Sequence, residues 1–218
     1  MARSSIALLV CILAVAAMTS FPGALARKDL GVVKPAATTP APAKCIKSTI
    51  RGYNQSVTLT SGLLLHWNVT GASSIDMAIE AQSTSAASKG GWLSIAFAKS
   101  TFKMANSDAI IGNLAGTAAN PATVAPYAIT SYTAVKPTSA FALTSASTTT
   151  TIGKSVVVAF SRSGATGMNP IVYGFGKATP ALNYITYAYS ANGVSKTVAY
   201  HGSGRRGKAV VNLACKPL

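Results

Sequence analysis

Short runs of apolar/polar alternation, broken by Gly, Pro, Asn and Ser, constrain this chain more than any other feature. Residues 62–70 place Leu63, Leu65 and Trp67 on one face and Leu64, His66 and Asn68 on the other. Residues 75–81 alternate in the same way, with Ile75, Met77, Ile79 and Ala81 against Asp76, Ala78 and Glu80. Residues 92–98, 109–114, 141–145, 156–161, 171–175 and 184–189 read as further strands. No window keeps a 3.6-residue period over the length of a helix, so the pattern predicts an all-β antiparallel sandwich or barrel.

The chain has 218 residues, 49% of them hydrophobic and only 11% charged. Such a composition excludes a disordered basic tail and suits one domain with a substantial core. Lys and Arg total 19 against 4 acids, a net charge of +15 that attracts anions. Nucleic acid is excluded as the partner. Residues 1–26 read as a secretory signal peptide that takes the chain out of the cell, and no recognition motif follows.

That leader has Arg3 in its basic start, an apolar run over 6–18 and an Ala24-Leu25-Ala26 cleavage site. The run is short for a membrane span, no later stretch reaches spanning length, and the C-terminal residues encode no apolar tail. The expectation is a secreted, extracellular protein of a cell-wall or apoplast-like space, without a transmembrane anchor. Residues 27–44 form a leader whose Pro/Ala/Thr segment, 34–43, cannot pack a core and is expected to be extended. Residues 45–218 form the domain. Cleavage removes Cys11 and leaves Cys45 and Cys215 at opposite ends of the mature chain. In an oxidising compartment they are expected to pair and join the first and last strands; two free thiols are the alternative. For so long a loop the chain-entropy model gives roughly 4–5 kcal/mol. Asn54-Gln55-Ser56 and Asn68-Val69-Thr70 are N-glycosylation sequons.

Several motif matches lack their context. Gly202-Ser203-Gly204-Arg205-Arg206-Gly207 spells G-x-G-x-x-G, but too little chain follows for a dinucleotide-binding βαβ unit. Gly153-Lys154-Ser155 mimics a P-loop end, yet a strand follows instead of a helix. Two histidines and two paired cysteines are too few for a structural zinc site. Asp76 and Glu80 are expected on a solvated strand face rather than as a glycosidase pair. No nucleophile constellation for a hydrolase is recognisable.

One ordered set of stretches remains. Leu65-His66-Trp67-Asn68-Val69 is followed by Gly91-Trp92-Leu93-Ser94-Ile95-Ala96-Phe97-Ala98 and by Met104-Ala105-Asn106-Ser107-Asp108-Ala109-Ile110-Ile111-Gly112. Val158-Ala159-Phe160-Ser161-Arg162, Val172-Tyr173-Gly174-Phe175-Gly176, Tyr200-His201-Gly202 and Arg206-Gly207 come later. This order resembles a DOMON domain over about residues 50–213. It is similar to the haem-b-binding DOMON cytochromes, such as the cytochrome domain of cellobiose dehydrogenase and the auxin-induced apoplastic type. The resemblance implies an immunoglobulin-like β-sandwich that holds non-covalent haem b between an axial Met and an axial His. Residue by residue, these are Met104 and His201, expected to face each other across a haem-sized cleft.

A thioether and an imidazole make a six-coordinate low-spin pair, and Met favours the reduced iron. With both axial positions filled the task is electron transfer, so the protein is expected to be a carrier rather than an enzyme. Lys103, Arg205 and Arg206 flank the ligands in sequence and are the candidates for pairing with the haem propionates. Met77 alternates with core positions and Met168 sits in a turn. His66 shares a face with Asn68; if Asn68 is glycosylated that face is solvent, which leaves His201 as the ligand. The electron partner is expected to be a separate protein or a small reductant such as ascorbate. The competing expectation is a non-haem extracellular-matrix module whose basic surface holds acidic cell-wall polysaccharide or sugar.

Overall fold

A computed structural model describes residues 41–71, 73–85, 88, 91–98, 103–114, 123–131, 134–150, 155–163, 171, 181–190 and 204–215. The calls on the signal peptide, most of the leader, the strand at 172–175, Met168 and His201 lie outside the described residues. The strands are β1 (Ile46–Lys47), β2 (Gln55–Thr60), β3 (Leu63–Val69), β4 (Ser74–Gln82), β5 (Trp92–Ala98) and β6 (Ser107–Asn113). They continue as β7 (Thr123–Ser131), β8 (Ala134–Pro137), β9 (Leu143–Thr150), β10 (Ser155–Ser163), β11 (Leu182–Tyr189) and β12 (Arg206–Asn212).

These strands form two six-stranded antiparallel sheets. The first has the order β1-β2-β3-β4-β10-β9 and the second β12-β11-β5-β6-β7-β8. The fold is a β-sandwich, and β12 lies against β2 at one side while β7 lies against β9 at the other. The alternation that marks the strands in the sequence is what fills the middle layer. Leu63, Leu65, Trp67, Ile75, Met77 and Ile79 from the first sheet meet Leu93, Ile95, Phe97, Ile110 and Ile185 from the second. Burying side chains of this size contributes about 1.5–3 kcal/mol each. Met77 is a packing residue there, fully buried.

Side-chain hydrogen bonds cross the layer. Trp67 Nε1–H donates to the Leu213 carbonyl (3.1 Å), and the Tyr187 hydroxyl donates to the Leu59 carbonyl (3.0 Å). Burial raises the Tyr187 pKa, so the phenol stays protonated and able to donate. Tyr187 passes so close to Gly207 that a Cβ there would overlap its ring and hydroxyl, which explains a glycine inside β12. Ahead of β1, Ala43 N–H donates to the Val210 carbonyl (2.9 Å), and Cys45 is bonded to Cys215 across a sequence separation of 170. The disulfide joins the chain just before β1, an edge of the first sheet, to the chain just after β12, an edge of the second.

Two expectations about faces are corrected. His66 is not on a solvent face: it is fully buried. Glu80 is not on a solvated one: it is only 8% exposed and bonded to His66, while Asp76 is half-buried and accepts from the Ser161 hydroxyl (2.5 Å). The outer face of the first sheet is covered near His66 by residues 48–54. Tyr53 stacks at a tilt on the imidazole, and Ser48 bonds to it. Five strands also escape the period-two reading: β1, β2, β7, β8 and β12. Conversely, Phe141 and Ile171 are buried but lie outside strands.

Candidate functional site

The outer face of the second sheet is where the strands leave room. Its inward positions are large, but the residues between them are small. In register across the sheet, Ser94 stands opposite Ala188, and Ala188 opposite Arg206. One step along, Ala96 stands opposite Thr186 and Ala109, and Thr186 opposite Lys208. Successive residues of a strand point to opposite faces, so this row of Ala, Ser and Thr is the back of the strands that carry Ile95 and Ile185 into the core. The result is a flat, shallow floor.

Large side chains wall that floor. Trp92, Ile111 and Ile129 pack with Ala96 and Ala109 into a second apolar cluster, and Met104, Tyr127, Val135 and Ala188 pack against it. A cleft of about 370 Å³ opens between this wall and β12, lined by Ser94, Ala96, Met104, Ile129, Thr186 and Ala188. Arg206 and Lys208 complete the lining on the β12 side, together with Tyr187 and Gly207. This is the size range of ligand and cofactor sites, which are apolar clefts with a few polar groups at the margin.

Met104 enters the cleft from the turn that precedes β6 and is half-buried. Arg206 and Lys208 lie two apart on β12, so they share its outer face, and both are exposed. Lys103 is exposed beside Met104, and Arg205 is half-buried in the turn before β12; neither lines the cleft. The structure therefore brings together Met104 and Arg206 and adds Lys208, while His201 lies outside the described residues. Lys208 was missed because no strand was read after the glycine-rich run 202–207; read as a strand from Arg206, the Arg-x-Lys spacing would have placed it beside Arg206.

The carboxylates are elsewhere. Among the described residues, Asp76 and Glu80 belong to the first sheet, and Asp108 is fully buried. Asp108 shares the inner side of β6 with Ile110. The cleft face thus carries cations and no carboxylate among the described residues. The donor set fits a planar, anionic cofactor that takes a soft axial ligand: a thioether in the cleft, a flat floor and two cations at the margin.

Two other clusters of polar groups stand apart from the cleft. On the first sheet, the Ser48 hydroxyl bonds to His66 Nδ1 (2.9 Å), and His66 Nε2 lies 3.1 Å from Glu80 Oε2. Burial holds the His66 pKa below its ordinary 6.5, against the opposing pull of Glu80. Between the sheets, Arg162 is fully buried, its guanidinium 4.2 Å from the Phe141 ring centroid and 5.5 Å from that of Phe97. Asn54, exposed, donates through Nδ2 to Asn68 Oδ1 (2.7 Å), so the two sequons meet on the outer side of the first sheet.

Comparison with known proteins turns on shape. The sequence matches no family model and no curated protein. Among solved structures it is similar to the cytochrome b domain of pyranose dehydrogenase from Coprinopsis cinerea, with a TM-score of 0.55 and 12% identity. It is also similar to the cytochrome domain of Myriococcum thermophilum cellobiose dehydrogenase, with a TM-score of 0.54 and 11% identity. Each match covers 78% of this chain and 88% of the other. What this chain shares with them is the fold of a cytochrome b domain.

Proposed function

We propose that this is a secreted electron-transfer protein that holds haem b in the cleft on the outer face of the second sheet. The observation that carries the reading is Met104: the methionine that the DOMON resemblance assigns as a ligand stands in the lining of an apolar, cation-edged cleft. The likeness in fold to cytochrome b domains supports it. Haem, when bound, supplies one-electron exchange between ferric and ferrous iron. The residues of the chain supply the rest. Met104 offers a soft thioether, and His201 is the proposed second ligand. Ala96 and Ala188 leave room for a flat ring, while Arg206 and Lys208 pair with carboxylates at the margin. Lys103 and Arg205, outside the lining, add positive charge near the mouth.

Electrons are exchanged with a separate redox protein or with a small reductant such as ascorbate. The disulfide agrees with an extracellular location. Among the described residues no helix is long and apolar enough to cross a membrane. Asn54 and Asn68 are proposed glycan acceptors.

The test is an absorption spectrum of the chain supplied with haem. A reducible, low-spin b-type spectrum is expected, and Met104→Ala and His201→Ala should each abolish it. An unaltered spectrum in either variant removes that residue from the ligand set. The cationic lining also favours a second reading, a matrix module that binds acidic polysaccharide without haem. Salt-sensitive binding to polygalacturonate by a chain that retains no haem would establish it.

A further inference from the structure

The turn that carries Met104 is held more firmly than a strand connection requires. Ser107 Oγ donates to the Met104 carbonyl (2.5 Å), and the Asn106 N–H donates to the Ile129 carbonyl (2.6 Å). Asn106 has φ 60°, the sole positive value at a non-glycine residue among those described. Asn tolerates that left-handed conformation, and a β-branched residue does not. Ser107 is fully buried and stands opposite Ile129 in the β6–β7 register. Ile129 is therefore the anchor for the turn's backbone, and its side chain lines the same cleft as Met104.

Methionine needs such an anchor if it is to ligate. Its three rotatable bonds let it fill many positions, and a thioether is a weak ligand. Ordering it before the cofactor arrives removes that cost from binding.

We infer that Ser107 and Asn106 are positioning residues that preorganise the Met104 thioether over the cleft whether or not a ligand is present. The purpose of this device rests on the haem reading, but its first test does not. In the full chain without haem, carbon-13 methyl spectra report the packing of the Met104 methyl against the apolar cluster that includes Ile129, with Met104→Leu giving the assignment. Ser107→Ala removes one hydrogen bond and Asn106→Val makes φ 60° strained. Each should lower the ratio of closed to open turn about five-fold, through one lost hydrogen bond in the first variant and left-handed backbone strain in the second. Asn106→Gly, which accepts the same φ, should keep the contact. Met77, in the core, is the internal control and should not respond. In the haem-loaded chain the two disruptive variants should show a raised high-spin fraction at equal haem content.

The inference is overturned if the Met104 contact survives both variants, or if Met77 contacts weaken in step with it. Should haem fail to bind while the methyl contacts respond as described, the preorganised turn stands and the haem reading falls.

Discussion

At His66 both ring nitrogens are engaged, one by Ser48 and one by Glu80, inside a fully buried site. Burial holds its pKa below 6.5, so the unfolded chain takes up a proton there before the folded one does. The sign follows: this group's contribution to stability is complete above pH 6.5 and is lost as pH falls from 6.5 through the lowered value. The other groups facing it are Glu80 on β4 and Tyr53 on the covering loop, with Asp76 beside Tyr53. Urea midpoints measured at pH 7.5 and pH 5 should show a loss that flattens in His66→Gln; an equal loss in the variant would refute the assignment. Arg162 poses a different problem, a cation inside the core against two aromatic rings. Arg162→Ala should cost about 3 kcal/mol or more, from the cavity and the lost ring contacts together, as read from urea midpoints. Neither burial was legible beforehand. His66 falls on the polar-looking face of a strand because period two reports which side a residue is on, and says nothing about a loop folded over that side.

Among the elements, the sequence was clearest where alternation met large residues. Residues 92–98 coincide with β5, and 75–81 lie within β4. The strands that escaped have weaker signals: β7 carries Pro126 in its middle, β8 is four residues long, and β12 has at its second position a glycine, Gly207, that fits Tyr187. In β12 the information lay in packing against the neighbouring strand β11, which a local pattern does not contain. The disulfide pairing was legible from cysteine count and compartment alone. Its place between two sheet edges gives the prediction for this scale. Cys215→Ser, or reduction, should lower stability by roughly 4–5 kcal/mol, because the bond spans nearly the whole domain. A comparison of urea midpoints with and without reductant measures it.

Across the whole molecule, it is the carboxylates that are distributed by face. Among the described residues they are on the first sheet or inside, while exposed cations occur on both sides, Arg206 and Lys208 at the cleft and Lys47 and Arg51 on the first-sheet side. Two cations at the cleft with no carboxylate beside them raise the local concentration of anions there, an effect weakened by salt. Reduction of the haem-loaded chain by ascorbate should therefore slow as salt rises from 10 to ~300 mM, a span over which the Debye length drops several-fold. Reduction by a neutral hydroquinone should change much less. Equal salt responses would show that the charged face does not guide the reductant. The net charge was legible in the composition, but its arrangement was not, since it depends on which strand edge each cation occupies. The sequons lie on the opposite sheet, so a glycan at Asn54 or Asn68 would leave the cleft open.

The floor of small residues has one more consequence. Ala96 and Ala188 face away from the sandwich interior, so the shape of the cleft is written in positions that the layer between the sheets does not use. An Ala188→Phe change, at a half-buried position, should fill the cleft at a smaller cost in stability than Ala96→Phe, which would overpack the buried second cluster. Selection can thus remodel what this face holds, or erase it, without endangering the fold beneath, and proteins of this architecture are free to diverge in ligand long before they diverge in shape.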